Sequence, residues 1–98
     1  MSIAYKIEIG NEKIENFSDF VEEIFKTVLE CGKTIIKERL ENLDEKLMQE
    51  RDSKRYRNKG SRRTAVKTKL GTIEYSRRIY HDTVENRYVF LLDEAISP

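Results

Sequence analysis

The sequence predicts an α+β domain built from an N-terminal strand, one long amphipathic helix, a basic connector and a three-stranded antiparallel β-meander. Three observations predict it. Residues 3–9 alternate apolar and polar side chains, and from Asn16 to about Arg51 apolar residues recur every three or four positions without a proline. After Gly60 come two β-rich runs around Gly71 and a third at 88–92. One domain over 1–98 results, with an arm or strand at 1–15, the helix at 16–53, the connector at 54–63 and the meander at 64–92.

In the first element Ile3, Tyr5, Ile7 and Ile9 share one face and Ala4, Lys6 and Glu8 the other, and Gly10-Asn11 ends the run. In the second, Phe17, Phe20, Val21, Ile24, Phe25, Val28 and Leu29 cover a broad face, which narrows to a stripe at Ile35, Ile36, Leu40, Leu43 and Leu47. Asn16 or Ser18 can cap the helix start, while Asp19, Glu22 and Glu23 suit the positive end of its dipole. A helix of about 36 residues would be roughly 54 Å long. Gly32 is the one point for a kink or an αα-hairpin, and an interior glycine costs about 1 kcal/mol against alanine, which a long helix absorbs. The reading taken is one continuous helix. A narrow stripe on so long a helix calls for a partner helix, so Ile36, Leu40, Leu43 and Leu47 are assigned to coiled-coil pairing with a second copy.

Asn58-Lys59-Gly60-Ser61 breaks the helical pattern. Thr64–Leu70 and Thr72–Tyr80 then read as a hairpin with a two-residue turn at Leu70-Gly71. That register sets Lys67 opposite Glu74 and Val66 opposite Tyr75. His81–Arg87 reads as a loop, and Tyr88–Leu92 as the third strand.

Charge is distributed unevenly. The segment Arg51–Tyr80 holds eleven Lys or Arg against Asp52 and Glu74, a net +9; residues 1–50 sum to −5 and 81–98 to −3. A total of +1 conceals this polarity. With 38% apolar and 38% charged residues and no Trp, a chain of 98 residues has little core material. The lone Cys31 excludes an intrachain disulfide framework and fits a reducing cytoplasm. No signal-peptide core and no membrane-length apolar run is present. The strand-like run closing on Ser97-Pro98 reads as a chain cut from something longer.

No active site is legible. Gly32-Lys33-Thr34 mimics the end of a phosphate-binding loop, but Thr27 stands where its first glycine belongs. Cys31 and His81 sit in different elements, too few for a zinc site. His81-Asp82 reads as loop surface, and Asp93-Glu94 as a solvated acidic turn. No cofactor, metal or small-molecule substrate is expected for this chain.

Binding remains. Lys54, Arg55, Arg57, Lys59, Arg62 and Arg63 line the helix exit, Lys67 lies near the hairpin turn, and Arg77 and Arg78 sit in mid-hairpin. This density of cations, between acidic flanks and on a ribbon of a type that enters a major groove, points to phosphates. Backbone N–H groups at Gly60-Ser61 add donors. Six phosphate contacts would give log K against log salt a slope near −5, from about 0.9 per contact. The bland alternative is a solvated charge run.

In order and spacing, LENLDEKLMQERD at Leu40–Asp52, KRYRNKGSRRTAVKT at Lys54–Thr68, LGTIEYSRRIY at Leu70–Tyr80 and YVFLLDEAIS at Tyr88–Ser97 carry a resemblance. The chain resembles the N-terminal region of bacterial insertion-sequence transposases of the ISLre-two family, long filed as an uncharacterised protein family. Thr68–Tyr75 is also similar to a hairpin preceding the catalytic domain of Mutator-type transposases. The match covers most of the chain after residue 16. The resemblance implies a parent that binds the ends of its element and carries an RNase H-like domain with Mg²⁺-binding carboxylates farther along. No catalytic residue carries over, Asp93 and Glu94 included.

The expectation is a cytoplasmic, homodimeric, non-catalytic DNA-binding and oligomerisation module of a transposase. Its rival is a protein-interaction module whose coiled-coil helix pairs chains and whose basic segment meets an acidic partner. A free-standing hydrolase is a third, weaker reading.

Overall fold

A computed structural model describes residues 16–96 of the chain. The strand expected at residues 3–9 lies outside the described residues. The element order is α1 (Phe17–Glu50), β1 (Tyr56–Thr68), β2 (Gly71–Asp82), β3 (Arg87–Val89) and α2 (Leu91–Ile96). The three strands form one antiparallel sheet in the order β1-β2-β3.

α1 is continuous through Gly32. Asn16 caps it, its Oδ1 accepting from the Asp19 N–H at 3.1 Å. The glycine has a packing role: a Cβ at position 32 would stand 2.7 Å from Cδ1 of Leu70, at the tip of the β1–β2 hairpin. Propensity given up at one position lets the hairpin tip lie against the helix. The helix ends where Arg51 turns extended and bends its guanidinium back onto the Met48 and Tyr56 carbonyl oxygens.

Residues 54–63 are not a free connector, since β1 begins at Tyr56. The helix-breaking run Asn58–Ser61 is a β-bulge. Asn58 pairs with Tyr80 and Ser61 with Arg78, which leaves Lys59 and Gly60 together opposite Ile79. Gly60 has φ +101°, a conformation that disfavours other residues. The run does break the helical pattern, but it lies inside a strand and not in a connector.

The hairpin register differs from the expected one by two residues. The turn is Lys69-Leu70, and the pairs are Thr68 with Gly71, Lys67 with Thr72, Val66 with Ile73 and Ala65 with Glu74. Thr68 sets it: its hydroxyl accepts from the Leu70 N–H at 3.1 Å and donates to the Gly71 carbonyl at 2.9 Å. Gly71 takes φ +117°. A two-residue slip preserves the faces and brings Val66 opposite Ile73.

β2 extends to Asp82, so His81 and Asp82 belong to the strand and the loop starts at Thr83. β3 stops at Val89. Leu91 and Leu92, expected in the third strand, open α2, where the Glu94 N–H bonds the Phe90 carbonyl at 3.2 Å and Asp93 and Glu94 occupy the first turn. Leu92 is fully buried there, joining Ile73, Tyr75, Tyr80 and Val89 in the core. α1 packs on β2 and α2, and α2 also packs on β2. Among the described residues no helix is long and apolar enough to cross a membrane.

Candidate nucleic-acid interface

The basic residues divide into two groups. Arg55, Arg77 and Arg78 are held inside the fold by carboxylates. The Arg55 guanidinium makes a bidentate contact to Asp82, Nε to Oδ1 and Nη2 to Oδ2, both at 3.0 Å. Asp82 is 1% exposed and also accepts from the Val84 and Glu85 N–H groups. Arg55, with these backbone donors, holds the Asp82 carboxyl down at about 2 against the opposing effect of burial.

Arg77 and Arg78 are neighbours on β2, and strand alternation sends them to opposite faces. Arg77 reaches Asp93 on α2 (Nε to Oδ1 3.1 Å, Nη2 to Oδ2 3.3 Å) and lies 3.8 Å above the Phe90 ring. Arg78 reaches α1, where Nη1 meets Asp44 at 2.7 Å and Nη2 meets Glu45 at 2.6 Å. Burial disfavours the Arg78 cation, but the bonds it donates to Glu45 and Asp44, with their negative charges, more than offset this and raise its pKa. Asp93 is therefore a structural anchor and not a solvated turn.

α1 also closes the β2 edge that short β3 does not reach. Glu41 Oε2 accepts from the Ser76 N–H at 3.0 Å, and Asp44 Oδ1 from the Arg78 N–H at 3.1 Å. Much of the acidic character of this half of the helix is consumed here.

The second group, Lys54, Arg57, Lys59, Arg62, Arg63 and Lys67, is exposed throughout. Five of these lie on β1, which carries no acidic residue and forms a free edge of the sheet. Lys54 sits in the turn that leads into it, its N–H bonded to Asp52. Lys54, Arg57, Lys59 and Lys67 have no carboxylate partner among the described residues. Among the described residues the Arg62 side chain bonds only the neighbouring Ser61 carbonyl (2.9 Å). Arg63 meets Glu74 at 3.0 Å, but both side chains are more than two-thirds exposed, and such a pair exchanges easily with another anion. The Gly60 N–H, expected to be available to a phosphate, is taken by Asn58 Oδ1 at 2.9 Å.

Thirteen residues of strand span roughly 43 Å at about 3.3 Å per residue, so the five cations form a track and not a point. Charges of one sign along an edge oppose pairing with another copy of the same strand and suit a polyanion. No group of three or more His, Cys, Asp or Glu side chains among the described residues is arranged to hold a metal ion.

The four residues assigned to pairing, Ile36, Leu40, Leu43 and Leu47, are half-buried, on the half of α1 that packs against its own sheet and α2. The exposed apolar residues of α1 are Phe17, Val21, Phe25 and Val28 instead. The three tethered arginines escaped the sequence reading because their carboxylates lie 16 to 34 residues away. The density of Lys and Arg over Arg51–Tyr80 is the sequence signal for the others.

The sequence profile described as "Uncharacterised protein family (UPF0236)" matches residues 11–97. Comparison with curated proteins and with solved structures gave no match.

Proposed function

The chain belongs to the uncharacterised protein family UPF0236, and from that premise we propose that it is the DNA-binding module of a transposase, its chemistry carried elsewhere. The observation that carries this reading is the free edge strand Tyr56–Thr68, with five exposed cations and no acid. Lys54, Arg57, Lys59, Arg62, Arg63 and Lys67 would hold phosphates of a duplex. Arg55, Arg77 and Arg78 would shape the ribbon that presents them. Duplex is favoured over single strand because the track offers little for bases to stack on: Tyr56 is half-buried beneath Arg55, whose guanidinium lies 5.0 Å from its ring. The resemblance of Leu40–Ser97 to insertion-sequence transposases supplies the biological setting.

The rival is a protein-interaction module whose basic edge receives an acidic strand or tail. Mobility shifts on a duplex bearing the element's terminal repeat, at two salt concentrations, separate the two. The proposal expects affinity to fall steeply with salt, at a slope near −5 for six phosphate contacts. It also expects a chain with Arg57, Lys59, Arg62 and Lys67 all changed to Ala to remain folded and lose the shift. Binding that is absent or indifferent to salt overturns the proposal.

A further inference from the structure

The hairpin tip meets α1 at Gly32 and Lys33, where a Cβ on Gly71 would stand 2.9 Å from the Lys33 Cε. N-terminal to that contact the helix carries an apolar stripe open to solvent. Phe17 is 71% exposed, Val21 48%, Phe25 57% and Val28 50%. Their spacing of four, four and three residues keeps them within an arc of about 80°. They form one line some 16 Å long. These four side chains offer roughly 400 Å² of apolar surface, the size at which an exposed patch marks a contact site.

We propose that this stripe docks a second copy of the chain, antiparallel, about a two-fold axis between Ile24 and Phe25. The proposal stands independently of the nucleic-acid reading. Charge favours a copy as the occupant. Glu22 and Lys26 lie on the same side of the stripe, four residues apart, and have no ion-pair partner among the described residues. With Val21 level with the second copy's Val28, each Glu22 comes beside the opposite Lys26, and the two-fold axis makes the pair twice. The antiparallel sense also opposes the two helix dipoles. It sets the two hairpin tips at opposite ends, with Phe17 of each copy reaching the level of the other's Gly32. In a parallel pair both tips would crowd one level. Two such stripes bury on the order of 800 Å² before half-buried Phe20, Ile24 and Leu29 are counted, approaching the lower range of specific interfaces, about 1,200 Å².

Sedimentation equilibrium of the full chain from low to several hundred micromolar tests this. The proposal expects a monomer–dimer equilibrium that Phe25→Lys weakens at least tenfold. Glu22→Lys should weaken it too, and Glu22→Lys with Lys26→Glu should restore it. In a Cys31→Ser background, Val21→Cys chains mixed with Val28→Cys chains should give the mixed disulfide in preference to either homodisulfide. A dimer indifferent to Phe25→Lys overturns the proposal, as does preferential Val21→Cys homodisulfide. A wild-type monomer that Phe25→Lys merely destabilises assigns the stripe to the chain's own first fifteen residues, and that also overturns it.

Discussion

Arg78 holds Asp44 at two points, its backbone N–H bonding Oδ1 at 3.1 Å and its guanidinium Nη1 bonding Oδ2 at 2.7 Å. One carboxylate on α1 thus closes a free strand edge and neutralises a half-buried cation. Asp44 has a side chain only 6% exposed, so removing its partner leaves a charge that water barely reaches. Arg78→Met, which keeps the aliphatic stem, should lower unfolding free energy by about 2–4 kcal/mol in urea titration. Retention of full stability would show that solvent reaches Asp44 and compensates for the loss.

Asp82 predicts how the fold responds to acid. Its pKa is lowered to about 2, below the ordinary carboxylate value, so it stabilises the fold fully above about pH 4. That contribution is lost progressively as pH falls from about 4 towards 2. Asp82→Asn should flatten this part of the stability–pH curve while lowering stability at neutral pH, because Arg55 then lacks its charged partner. Thermal melts between pH 2 and 7 check both effects.

The Tyr80 side chain is 0% exposed, and its buried hydroxyl has no hydrogen-bond partner among the described residues. Its pKa is raised by burial and by nearby Asp44. An unpaired buried hydroxyl contributes nothing to offset its desolvation, so Tyr80→Phe should be neutral or stabilising by up to about 1 kcal/mol. Tyr80→Ala empties the centre of the core and should cost about 3–5 kcal/mol. A large loss in Tyr80→Phe would mean that the hydroxyl is bonded in solution.

Gly71 should tolerate no side chain without cost. Its φ of +117° disfavours L-residues, and an alanine Cβ would sit 2.9 Å from Lys33 Cε. The lysine stem can move aside but the backbone strain cannot be relieved that way, so Gly71→Ala should cost about 1–2 kcal/mol. Lys33→Ala in the same chain should recover only the smaller steric part, as denaturation midpoints would show.

How much of this was legible follows from the range of each interaction. The helix was readable because its apolar period and its Asn16 cap lie within the segment itself. Its continuity at Gly32 depends on Leu70, 38 positions away. The hairpin was readable, but its register was not, because one Thr68 hydroxyl moved the turn by one position and the pairing by two residues. The first part of β1 was hidden because charge and a bulge resemble a connector. α2 was hidden because Leu91-Leu92 continues a β-rich run in sequence while Asp93 turns back to Arg77. Positive charge along the chain was plain to see. Which cations were already neutralised was not, since that depends on Asp44, Asp82 and Asp93 arriving from other elements.

The division of the cations gives a last prediction that needs no assumption about which sequence is bound. Arg57, Lys59, Arg62 and Lys67 are exposed and have no carboxylate partner among the described residues, so their removal should leave the melting temperature nearly unchanged. Surface substitutions of this kind usually stay within about 0.5 kcal/mol. Each should reduce the salt slope of DNA binding by about 1 and weaken all duplexes alike, as phosphate contacts do. Arg77→Ala should behave in the opposite way. Its side chain is 12% exposed and fixed between Asp93 and the Phe90 ring, so it should lower the melting temperature. The salt slope of whatever protein stays folded should not change. Measuring slope and melting temperature together for Arg57→Ala and Arg77→Ala separates contact from support. If Arg77→Ala lowers the slope while stability is kept, Arg77 leaves Asp93 to meet the nucleic acid, and the ion pair across β2 and α2 is a resting state of the binding surface.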